Sequence, residues 1–65
     1  MKPFQDRVLV EQKELAEKII KLTKFLQSET YDDLDDGEKD RLVRQLAAMD
    51  AYYHILNERI VAFAS

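Results

Sequence analysis

Hydrophobic positions recur along most of this chain at spacings of three and four. Val8, Leu15, Ile19, Leu22 and Leu26 follow one another at 7, 4, 3 and 4 residues. That is the seam of a helix packing on a helix. Gln12 fills the skipped position, a polar interruption of the seam. The pattern predicts one helix over about residues 3–28. Pro3 suits its first turn, where the missing N–H costs nothing. Lys18, Lys21 and Lys24 complement the dipole toward its C-terminal end. A second run, Leu42, Leu46, Met49, Tyr53, Leu56, Ile60 and Phe63, alternates spacings of 4 and 3 without a break. It predicts a second helix over about residues 37–63.

Between them lies an acidic loop over about residues 29–36. Asp35 or Asp36 is a candidate N-cap. Asp35 has Glu38 at capping-box spacing, with Leu34 ahead of it as a hydrophobic staple. Tyr31 and Leu34 are expected to fold back over the hairpin end. A loop this short between long helices implies antiparallel packing, with a turn near residue 33. Each helix should be about 35–40 Å long at ~1.5 Å per residue. The expected architecture is all-α: residues 1–65 form a single antiparallel two-helix hairpin.

A hairpin buries one stripe of each helix, yet apolar residues also lie off the seam. They are Leu9, Ala16 and Ile20 on the first helix, then Val43, Ala47, Ala51, Ile55, Val61 and Ala62 on the second. A second apolar stripe on so short a hairpin reads as a subunit interface. A homo-oligomer forming a helical bundle is therefore expected, with even numbers favoured by two-fold symmetry.

Composition narrows the function. The 65 residues include no cysteine, so neither a disulfide nor a Cys-based zinc site can staple the fold. No apolar run approaches a membrane span, and the polar start at Met1–Asp6 predicts no signal peptide. A net charge of −3 argues against a duplex nucleic-acid binder. That charge is unevenly placed. Residues 29–40 carry seven acidic groups against Lys39, a net of −6, and the rest of the chain sums to +3.

Catalytic and metal chemistry find little support. Asp32-Asp33-Leu34-Asp35-Asp36-Gly37 looks like a calcium loop. With Gly37 as the turn glycine, however, the third and twelfth ligand positions fall on Leu34 and Val43. A solvated acidic turn with a helix cap is the simpler reading. His54 is the single histidine, with Asp50 and Glu58 four residues to either side. A ligand or general base would need partners converging from elsewhere. No enzyme activity, cofactor or metal is expected.

The positions flanking the seam are more informative. Arg7, Glu11, Glu14, Lys18, Lys21 and Phe25 form one stripe; Arg41, Gln45, Ala48, Tyr52, Ile55 and Arg59 form its counterpart. A turn near residue 33 sets Phe25 near Arg41, Glu14 near Tyr52, and Arg7 near Arg59. Charged residues flanking a seam ordinarily pair and snorkel. A second reading is also open. Two arginines with few opposing carboxylates besides Glu11, and with Phe4 and Tyr52 as aromatic neighbours, hold the groups that grip a phosphate and stack a base. Phe4, Arg7, Glu11, Tyr52 and Arg59 are thus the candidate ligand-binding set.

Two motifs run through the helices. The first is Phe4-x-x-Arg7-Val8-x-x-Glu11 with Leu15-x-x-Lys18-Ile19-x-x-Leu22-x-x-Phe25. The second is Arg41-Leu42-x-x-Gln45-Leu46-x-x-Met49-x-x-Tyr52, then Ile55-Leu56-x-x-Arg59-Ile60. Over nearly the whole chain this pattern resembles a family of small phage-encoded helical-hairpin proteins related to a crAss-like phage gene product. In shape it is also similar to phage sponges that oligomerise and sequester the nucleotide signals of the bacterial defences CBASS and Thoeris. The resemblance implies an anti-defence protein of the infected cell's cytoplasm. It would capture a small anionic nucleotide, cyclic or of the ADP-ribose type, without cleaving it. A cyclic dinucleotide is nearly two-fold symmetric, so a two-fold assembly would offer it each residue twice. The alternative is a phage protein-interaction hairpin with no small ligand, gripping a partner through its second apolar stripe.

Overall fold

The computed structural model describes residues 2–64. All regular structure among them is helical: α1 spans Pro3–Phe25, α2 spans Glu29–Asp32 and α3 spans Asp36–Ala62. The long helices α1 and α3 pack antiparallel along their seams. The result is a rod of 46 × 15 × 14 Å with a radius of gyration of 14.9 Å. A compact domain of this length would have about 11 Å. Its accessible surface is 4997 Å², against about 4,300 Å² for a typical folded monomer of this mass. The single chain therefore leaves more of itself in water than an ordinary small domain does.

α1 begins where Lys2 turns extended and Pro3 takes the first helical position. The Gln5 side-chain oxygen accepts from the Lys2 backbone N–H at 3.0 Å. The helix ends at Phe25, short of the expected Ser28, and the cause is Ser28 itself. Its hydroxyl donates to the Phe25 carbonyl at 2.6 Å and accepts from the Tyr31 N–H at 3.2 Å. One serine thus closes α1 and caps α2. The expected loop over 29–36 accordingly contains a turn of helix. Tyr31 folds back as anticipated. Its ring meets Phe25 edge-on at 6.3 Å, and Lys39 Nζ lies 5.6 Å from its centroid.

α3 starts at Asp36, with Asp35 as its cap: Asp35 Oδ1 accepts from the Glu38 N–H at 3.2 Å. The reciprocal half of the capping box does not form, because the Glu38 carboxylate is 2.9 Å from Arg41 Nε. Replacing an N-cap aspartate by alanine costs about 1 kcal/mol. Asp35→Ala should lower the urea midpoint accordingly, and Asp35→Asn should keep it near the original value. Equal loss in both variants would mean that charge, and not the cap bond, is what matters.

The core is short. Leu56 is fully enclosed, and Val8 and Leu15 are buried beside it. Ile19, Met49, Tyr53, Ile60 and Phe63 pack around them, partly covered. These are seam positions. At the polar interruption, Gln12 Nε2 donates to Asn57 Oδ1 at 3.4 Å across the helices. A polar seam residue fixes register at a cost in stability. Gln12→Leu should therefore raise the unfolding free energy by about 1 kcal/mol, since Asn57 is exposed and can turn to water. A fall in stability on urea unfolding would show that the amide pair is a net stabiliser.

Candidate functional site

Two cross-helix contacts fix the register near the open end of the rod. The Phe4 and Phe63 rings meet edge-on, 5.9 Å apart at 86°, and Gln12 meets Asn57. The pairing therefore centres about one residue beyond Asp33. Arg7 and Arg59 come to within about one helical turn of the same level, since each residue rises ~1.5 Å. Phe4 and Tyr52, the aromatic neighbours expected for the arginines, lie at different levels of the rod. Phe4 sits at the level of Phe63, and Tyr52 lies eleven residues back along α3, about 16 Å by helical rise. A turn near residue 33 sets Phe4 at the far end of α3, and its contact with Phe63 agrees with that register.

The candidate residues are all solvent-accessible: Phe4 is 47% and Tyr52 41% exposed, and Arg7, Glu11 and Arg59 are exposed as well. Helical spacing places them on one side of the hairpin. Arg7 and Glu11 border a shallow depression of about 280 Å³ with Asp6, Val10 and Glu14. All five lie on α1, so in the single chain the depression has one wall. Three carboxylates share it with one guanidinium.

The arginines differ in their commitments. Arg41 Nε is 2.9 Å from Glu38 and Arg44 Nε is 2.9 Å from Asp40, both within α3. Those are the ion pairs among the described residues, and Arg7 and Arg59 belong to neither. Arg41, expected beside Phe25, is thus held by its own helix. Tyr52 is the freer tyrosine, whereas Tyr53 packs against the core and contacts the exposed His54 ring edge-on at 6.1 Å.

The opposite side of the hairpin differs in character. A groove of about 300 Å³ runs between the helices there, lined by Ala16, Ile19, Ile20, Asp50, Tyr53 and His54. The sequence offers Ile55 two places, with Tyr52 and Arg59 in the stripe flanking the seam and with Ile20 and Val43 in the second apolar set. The twelve residue steps from Val43 to Ile55 turn the helix by about 120° beyond whole turns, so Ile55 belongs with Tyr52 and Arg59.

Among the described residues, no group of three or more His, Asp and Glu converges as a metal set. No helix there is long and apolar enough to cross a membrane. A family profile described as Sequestin matches residues 2–62. The chain belongs to the Sequestin family. The Sequestin match runs through both long helices and the connection, so it covers the rod from end to end. The family's name denotes sequestering, a binding role, and points to no enzyme. No curated protein and no solved structure matches the chain.

Proposed function

We propose that this Sequestin-family chain is a phage anti-defence protein that sequesters a small anionic nucleotide, cyclic or of the ADP-ribose type, in the cytoplasm of the infected cell. The observation that carries the reading is the pair Arg7 and Arg59. Both are exposed at the open end of the rod, and neither takes part in the ion pairs that hold Arg41 and Arg44. A free guanidinium offers a bidentate fork to a phosphate. Phe4 supplies an aromatic surface at the same level, and Tyr52 a second one about 16 Å further along. That stripe suits an elongated ligand with a base toward each end. Glu11 lies in the Arg7 depression and can accept from a sugar hydroxyl or a base amino group. Nothing in the set performs cleavage, so the captured molecule leaves unchanged.

Calorimetry against a panel of cyclic dinucleotides, cyclic trinucleotides and ADP-ribose derivatives tests this directly. At least one should bind more tightly than about 10 μM, or −7 kcal/mol. If the whole panel binds more weakly, the nucleotide reading fails. Recovery of a specific host or phage protein on the chain would then favour a protein-interaction hairpin.

A further inference from the structure

The two long sides of the hairpin are unequal in charge. On α1 alone, the arginine side carries Arg7, Glu11, Glu14, Lys18 and Lys21. The groove side, from residue 9 to 23 of α1 and from 43 to 61 of α3, carries two formal charges, Lys13 and Asp50. Ile20 is 54% exposed there and Val43 48%, and the groove is walled by Ala16, Ile19 and Tyr53. Small alanines beside large isoleucines leave room for a facing helix to settle.

We infer that this groove side is the interface at which two copies of the chain pair, leaving both arginine sides open to solvent. Three observations favour a second copy over a foreign partner. The first is area. The rod's outline of 46 × 15 Å, about 690 Å², is the most that this side can bury per copy, somewhat below the ~800 Å² per partner of a standard interface and enough for a weaker, concentration-dependent dimer. The second is charge. Lys13 and Asp50 are of opposite sign, so the face does not repel itself, whereas a basic or acidic partner would find no matching field. The third is the rod itself. Its surface exceeds that of an ordinary monomer, as described above, and a like rod buries the excess along its full length. Two-fold pairing places each isoleucine against the same patch of the other chain. The arginine stripe plays no part in the contact, so the dimer presents two of them, on opposite outer sides. The contact stands or falls without any ligand, so it is tested separately from the nucleotide reading.

Sedimentation and light scattering should give twice the 7.7 kDa chain mass at micromolar concentration. Ile20→Asp should raise the dimer dissociation constant at least about a hundredfold, as a buried unpaired charge does. Ile55→Asp, on the other side and equally exposed, should leave the mass unchanged. Because the chain has no cysteine, Ile20→Cys and Ile55→Cys each introduce a single thiol with little disturbance. Thiol labelling at position 20 should slow as protein concentration rises, and labelling at 55 should not. A wild-type chain that stays monomeric at 100 μM, or protection at 55 in place of 20, would overturn the assignment.

Discussion

Truncating Leu56 to alanine is expected to produce the largest loss of stability of any single change in this chain, about 2–5 kcal/mol. Among the described residues, Leu56 is the one large side chain with no exposed surface at all. It sits with Val8 and Leu15 at the centre of a core that has no second layer. In a thicker domain, outer layers can relax into a cavity; here the neighbours are the other seam residues of two helices, and no layer lies beyond them. The cost should therefore fall in the upper part of that range. Urea unfolding followed by circular dichroism at one fixed protein concentration measures it, since any self-association makes the midpoint concentration-dependent. Leu46→Ala, at a half-covered seam position, is the comparison and should cost visibly less. Equal losses would mean that burial within one chain does not rank the seam, and that the assembly covers Leu46 as well.

Arg59→Ala is expected to weaken nucleotide capture about a hundredfold or more. Hydrogen bonds to charged groups are worth ~1.5–3 kcal/mol each, and a bidentate fork makes two. Arg7→Ala should act alike, because both arginines stand at the open end and neither forms an ion pair among the described residues. Arg59→Lys should recover only part of the loss, since an ammonium offers a point charge and no planar fork. Arg44→Ala should change binding little, because that guanidinium is already held by Asp40 at 2.9 Å. Calorimetry reads all four, with light scattering to confirm that each variant keeps the wild-type mass. Arginine variants that lose the assembly along with the ligand would show that these side chains hold the protein together and do not grip a phosphate.

The parts of the fold that a periodic pattern controls were readable from the chain. Every buried or core-packed residue, from Val8 to Phe63, lies on one of the two seams. Helical geometry leaves those positions no other face to occupy. The connection was less readable. Ser28 has the cap spacing to Tyr31, but the same serine also suits the last turn of α1. A four-residue helix carries no period by which to choose. The register was legible too, because a turn near residue 33 sets Phe4 level with the end of α3, where its ring meets Phe63. The candidate site was legible only as a stripe. Which arginines are free depends on side-chain partners such as Glu38 and Asp40, and several spacings along α3 would have allowed either outcome.

The acidic connection closes one end of a 46 Å rod, while Arg7, Arg59 and Phe4 sit at the other. At physiological salt, electrostatic influence decays over about 8 Å. The two ends are several such lengths apart and are electrically independent. An anion arriving at the open end does not experience a protein of charge −3; it meets only the groups of the nearest two or three turns. The same anion drifting toward the connection is turned away. For any anion, the acidic end therefore narrows the approaches to the rod that lead anywhere.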